Sequence, residues 1–202
     1  FRSPKPKVYI IGSPAMNAFA TGKDPEDSYI ALTTGIIERL DRQELEGVIA
    51  HELAHIKNYD IRVMMISAVL AGVIAFMSQM LFRMFIFGGS GGNNKSDGRL
   101  KLLLIAVAVV FVLLSPIFAE MIKMAVSRRR EYLADSTGAT MTRYPPGLAS
   151  ALEKISNDPK ELEQASKATA HLYISSPFKG GLTKLFSTHP PIDERIKRLK
   201  EM

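Results

Sequence analysis

Two histidines and a glutamate stand in His51-Glu-Leu-Ala-His55, where residue types and spacing together suggest metal chemistry. On a helix, positions i and i+4 lie one turn apart on one face, so both imidazoles can reach a single tetrahedral cation while Glu52 projects beside them. Two neutral imidazoles hold a zinc ion without cancelling its charge. The ion lowers the pKa of a bound water to about 7, and an adjacent carboxylate can take the proton released. The pattern reads as zinc-assisted hydrolysis, against the plainer alternative of two histidines that share a helix face. The helix itself is legible from Leu40 to Lys57, with Asp41 as N-cap and Glu44 completing a capping box. Leu45, Val48, Ile49, Leu53 and Ile56 form its apolar stripe.

A hydrolytic zinc site needs a third protein ligand and an open fourth position. Arg130-Glu-Tyr-Leu-Ala-Asp135 offers two carboxylates at i and i+4 of a second helix. Glu131 can ligate while Asp135 accepts the other ring N–H of a ligating histidine and fixes its tautomer. The alternative is a solvated face with Arg128 to Arg130 as salt-bridge partners. His189 precedes Pro190, Pro191 and a charged helix, which places it at a helix start, facing outward. There it could donate to a developing oxyanion, with Arg195 supporting the charge or holding the loop; otherwise the two are a cap and a surface arginine. Asn17-Ala-Phe-Ala20 alternates as a short edge strand beside the metal, on which an extended peptide could add as a further strand. Asn17, Ala18 and Phe19 are then substrate contacts; the alternative is an ordinary strand with Phe19 in the core. Tyr29–Thr33 reads as the next strand, and Thr34-Gly35 turns the chain into a helix near Ile36. His171 fits no ligand spacing and is read as structural, and Ser175–Ser187, interrupted by Gly and Pro, reads as a loop next to the cleft.

These elements are split by an uncharged middle. Residues 1–62 carry 8 basic and 9 acidic side chains, residues 63–119 carry 4 and 1, and residues 120–202 carry 14 and 10. From Val63 to Phe82 and from Leu102 to Ala119 the chain runs 20 and 18 residues without a charge. As helices these measure roughly 27–30 Å, the thickness of a hydrocarbon core. Both are apolar all round, unlike the striped helices of a soluble core. A Gly/Ser/Asn-rich loop over 88–99 turns the chain between them, so the two polar parts share one side of the membrane. Six basic residues flank the spans on that side against four at the loop, which places the polar parts in the cytoplasm. No charged n-region, apolar h-region and cleavage site can be read at the start, so no signal peptide is expected there, and residue 1 is Phe, as in a fragment. The apolar content excludes a disordered chain, and the absence of cysteine excludes a disulfide-stapled secreted module. With 8% aromatic residues and no Trp, the basic balance points to a membrane surface and not to nucleic acid.

Taken in order, Asn17-Ala-Phe-Ala20, Thr33-Thr-Gly35, Glu44 to His55, Arg129-Arg-Glu-Tyr-Leu-Ala-Asp135 and His189-Pro-Pro-Ile-Asp-Glu-Arg195 resemble the membrane-integral zinc metalloproteases of the HtpX type, relatives of the type I CAAX prenyl proteases. The resemblance covers nearly the whole chain. It implies an α+β zincin-like (gluzincin) catalytic domain, mainly helical with a small sheet and interrupted by a two-span transmembrane hairpin. It implies one Zn2+ per chain on His51, His55 and Glu131, Glu52 as general base, Asp135 as partner of a ligand, and His189 with Arg195 as the family's His-Pro motif.

The expected organisation is thus 1–60 and 123–202 as two parts of one catalytic domain, with 61–122 as the membrane hairpin. The expected activity is endopeptidase cleavage of unfolded or membrane proteins. The resemblance further implies quality control of misfolded membrane proteins under stress, in a bacterial inner membrane. Two competing readings are a noncatalytic scaffold that keeps zinc for folding, which has no use for Glu52, and an intramembrane protease, whose motif would lie within an apolar span.

Overall fold

The computed structural model describes residues 5–87, 98–160, 173–174 and 189–202. His171, the stretch 175–187 and most of the expected loop over 88–99 lie outside the described residues; Gly98 and Arg99 already belong to a helix. The chain divides into two compact units, one of residues 1–63 with 126–202 and one of residues 64–125.

In the first unit, β1 (Lys7–Ile11), β2 (Ala18–Asp24) and β3 (Asp27–Thr33) form a sheet in the order β1-β3-β2. β2 and β3 are an antiparallel hairpin in which Ala18 faces Leu32 and Ala20 faces Ile30, whereas β1 lies parallel to β3. β3 therefore begins two residues before the expected Tyr29, and β1, with Val8, Tyr9 and Ile10 all exposed, has no alternation that would have signalled it.

The segment Thr33-Thr-Gly35 couples the sheet to the helices. The Thr33 hydroxyl accepts from Asn17 N–H, donates to Asn17 O and also caps α1 (Thr34–Arg39) by accepting from Ile36 N–H. A Cβ at Gly35 would lie 2.3 Å from Pro14 O, so only glycine lets the loop before β2 pass this close. Asp158 closes the same loop, accepting from Met16 N–H at 2.7 Å and from Arg39 at 3.0 and 3.1 Å.

α2 (Arg42–Lys57) begins with the expected Asp41–Glu44 capping box. Glu44 is buried and also accepts from Ser150 Oγ at 2.7 Å and Lys154 Nζ at 2.6 Å on α5 (Pro145–Ser156). The cap thus ties two helices together. A Cβ on Gly47 would meet Leu148 N at 2.7 Å, so α2 and α5 pack backbone to backbone. Gly47→Ala is expected to destabilise this unit by about 1–3 kcal/mol through overpacking, seen as a lower thermal midpoint in detergent. α6 (Ile192–Lys200) packs Ile196 and Leu199 into the core with Val48, Leu148 and Leu152.

α3 (Asp60–Phe87) follows α2 after Tyr59, which adopts φ 55°. Among the described residues α3 is long and apolar enough to cross a membrane over Asp60–Met84, and its large side chains, Val69, Val73, Phe76 and Met80 among them, are exposed. α4 runs unbroken for 45 residues, Gly98–Thr142. The apolar run 102–119 and the Glu131–Asp135 segment belong to this one helix, since no Gly or Pro interrupts the chain between Ala119 and Glu131.

Candidate metal centre

α2 presents His51 and His55 one turn apart, and α4 brings Glu131 against them. One ligand atom from each of the three lies within 4.8 Å of the others. His51 Nε2 stands 3.1 Å from His55 Nε2, and the Glu131 oxygens stand 3.8 and 3.5 Å from those nitrogens. α4 can approach because Gly138 has no side chain: a Cβ there would sit 3.0 Å from His51 N.

The partners of the other ring nitrogens decide what the cluster can hold. His51 Nδ1 lies 3.0 Å from Asp135 Oδ1, and His55 Nδ1 lies 2.7 Å from Asp60 Oδ2. Each carboxylate calls for a proton on Nδ1, so both Nε2 atoms turn lone pairs toward one another and toward Glu131. Arg195 Nη2 lies 3.4 Å from His51 Nε2, and a cation among the three ligand atoms would relieve the repulsion that remains. Ligand atoms on a tetrahedral zinc with bonds of 2.0–2.2 Å are roughly 3.3–3.6 Å apart, a range that the three separations of 3.1, 3.5 and 3.8 Å bracket. The donor set therefore fits a divalent metal.

Asp60 was not singled out by its sequence context. It lies five residues after His55, off the helical i+4 spacing, and reaches the ring because the chain turns through Tyr59 at positive φ. Arg130 on α4 pairs with Asp60 Oδ1 and donates to Asn58 O at 2.5 Å, so the carboxylate is held between two elements. Asp60→Asn is expected to weaken metal binding by about 10–100-fold in competition with a chelator of known affinity, with little change in helix content.

Glu52 is 1% exposed. Burial pushes its carboxyl up to about 7, outweighing the pull of the His55 side chain and the Ala20 backbone N–H. Glu131 behaves oppositely. Burial would raise it, but His189 and Arg195 hold it well below the usual carboxylate range. Asp135, despite the same opposing burial, is held at about 2 by Arg195 and His51. Burial keeps His51 below its ordinary value, in the neutral form a ligand needs.

The two residues read together as an oxyanion pair take different places. His189 does not face outward: its Nδ1 lies 3.2 Å from Glu131 Oε2 and its side chain is mostly buried. Arg195 is 1% exposed and is no surface residue. Its Nε and Nη2 grip both oxygens of Asp135 at 2.8 Å, and its Nη1 stands 3.2 Å from Glu131 Oε2. Tyr132 points away toward α6, where Arg198 lies over its ring at 3.9 Å. Asn17 is buried just before β2 and Ala18 is buried at its start, while Phe19 packs edge to face on Tyr173 with centroids 5.0 Å apart. The outer edge of β2 is thus occupied there. A small crevice lined by Thr21, Gly22, Tyr59 and Arg62 reaches His55.

The profile of peptidase family M48 matches residues 1–202. The protease HtpX homolog of Dictyoglomus thermophilum is 48% identical over 199 residues, covering 98% of this chain and 64% of that protein. Those of Caldanaerobacter subterraneus subsp. tengcongensis and Tropheryma whipplei are 49% and 50% identical, each covering 98% of this chain and 67% of the relative. This chain spans about two thirds of the length of these curated relatives. In fold it is similar to the crystal structure of S. mikatae Ste24p, with a TM-score of 0.60 and 22% identity over 97% of this chain and 46% of the other. The architecture, the two-histidine and glutamate cluster and a match over the full span place this chain in peptidase family M48.

Proposed function

We propose that the chain is the catalytic part of a membrane-anchored zinc endopeptidase of the HtpX type. The observation that carries this reading is the juxtaposition of His51, His55 and Glu131 with the fully buried Glu52. A structural metal has no use for a carboxylate at that position that does not ligate.

His51, His55 and Glu131 would hold a zinc ion, which would lend Lewis acidity to a peptide carbonyl and acidify a water. Glu52 takes one proton from the attacking water as its oxygen bonds to the carbonyl carbon. It then gives that proton to the departing amine as the C–N bond breaks. His189, beside Glu131, donates to the oxyanion that develops on the carbonyl oxygen. Asp60 and Asp135 hold the imidazoles in the ligating tautomer, and Arg195 braces Asp135 and Glu131 from inside.

On this reading α3 and the apolar half of α4 are the two spans in a bacterial inner membrane and the polar parts of the chain lie in the cytoplasm; among the described residues α3 has the length and hydropathy of a span. The exposed Arg42, Glu46 and Lys57 on α2 favour a catalytic helix facing water over an intramembrane one. Substrates on this reading are unfolded or damaged membrane proteins. The test is casein cleavage by detergent-purified protein with metal content determined alongside. Cleavage that chelation stops and one equivalent of zinc restores is the expected result; a full zinc complement without cleavage would return the weight to a scaffold.

A further inference from the structure

Arg128, Arg129 and Arg130 follow the apolar run of α4, where arginines are expected to serve the membrane surface. The three do not share one environment. Arg129 is exposed, whereas the Arg130 side chain is only 22% exposed and turns inward to the end of α2. It donates there to the carbonyl of Asn58, the C-cap of α2, and pairs with Asp60 Oδ1. The other oxygen of Asp60 lies 2.7 Å from His55 Nδ1. One guanidinium thus stands a single carboxylate away from an imidazole of the metal cluster, and all of these residues belong to the same compact unit.

Both contacts of Arg130 answer a need that the backbone creates. Carbonyls at a helix C-terminus lack intrahelical donors, and the Asn58 carbonyl obtains one from the guanidinium. Tyr59 adopts φ 55°, a conformation disfavoured for a residue with a side chain, and this left-handed step brings Asp60 back toward the helix it follows. Asp60 is 3% exposed, and a buried carboxylate is stable only with a counter-charge. Without the guanidinium the turn gains by opening toward water, and Asp60 then leaves the His55 ring. We propose that Arg130 is a positioning residue of the metal centre, holding the Asn58–Asp60 turn closed so that Asp60 keeps His55 Nε2 directed at the metal. The proposal rests on the metal reading of His51, His55 and Glu131, not on cleavage, and gives one of the flanking arginines a task inside the protein.

The test is the rate at which zinc leaves the zinc-loaded full chain in detergent when a chromophoric chelator is added in excess. Helix content and thermal midpoint are read beside it for every variant. Arg130→Gln is expected to release zinc about tenfold faster than wild type at unchanged helix content. Arg129→Gln removes the same charge from the neighbouring, exposed position and is expected to stay within about twofold of wild type. In an Asp60→Asn background, Arg130→Gln is expected to add less than about twofold, because the residue it acts through is already altered. Release unchanged by Arg130→Gln, equal acceleration by Arg129→Gln, or a full tenfold addition on Asp60→Asn each overturns the proposal.

Should Arg130→Gln fail to fold, Arg130→Lys serves in its place. One ammonium can pair with Asp60 but does not reproduce the fork that also reaches Asn58, so release several-fold faster is expected and an unchanged rate overturns the proposal. Casein cleavage separates this proposal from the protease reading. A wild type that retains zinc in an Arg130-dependent way and cuts nothing sinks the protease reading and leaves the positioning role standing, whereas a wild type that takes up no zinc removes both.

Discussion

Glu52→Gln is expected to lower peptide cleavage by about 10²–10⁴-fold while the protein keeps its metal. The glutamine has the shape of the glutamate and replaces a residue outside the three-residue ligand cluster, so neither packing nor coordination is disturbed. What is lost is the proton acceptor. Glu52 sits where burial raises its carboxyl to about 7, so the group is poised to take a proton and return it near neutral pH. The experiment pairs initial rates on casein with zinc content for both proteins. A variant that stays active within a few-fold would assign the proton transfer to another group, with His189 the next to test. A variant that loses both activity and zinc would make Glu52 part of the coordination.

Arg195→Met is expected to be the most destabilising single change, by about 3–5 kcal/mol, because it leaves Asp135 and Glu131 buried without their counter-charge. In a unit of this size that is a fall of roughly 10 °C or more in thermal midpoint. Arg195→Lys is expected to recover only part of it, since one ammonium cannot match both Asp135 oxygens, as the guanidinium fork does at 2.8 Å, and still reach the Ile174 carbonyl. The same pair sets an acid limb. Asp135 titrates at about 2 in the folded chain and at about 3.9 when unfolded, so its contribution is fully present above the unfolded value and drains away as pH falls through the folded one. Asp135→Asn should flatten that limb in acid-unfolding curves and loosen metal binding about 10–100-fold, because the acceptor on His51 Nδ1 loses its negative charge. An Arg195→Met protein with an unchanged midpoint would mean that the buried carboxylates take up protons instead of remaining charged.

What the chain's residues determine by themselves is local. The Asp41–Glu44 capping box, the i and i+4 spacing of His51 and His55, the same spacing of Glu131 and Asp135, and the length of the apolar runs all follow from a helical period of 3.6 residues and from side-chain polarity. Those features survive any arrangement of the helices. Other features depend on where distant segments come to rest. The prolines after His189 signal a helix start and an outward-facing side chain, yet in the fold its Nδ1 lies 3.2 Å from Glu131. Arg195 looks like one more charge in a charged helix until α4 closes over it and makes it the counter-ion of two buried carboxylates. Asp60 acquires its role from a single residue at positive φ, and the β2 edge is taken by residues more than 150 positions further along the chain. Each of these is a long-range pairing, decided only when loop closure and core packing bring the segments together, and periodicity along the chain carries no record of it.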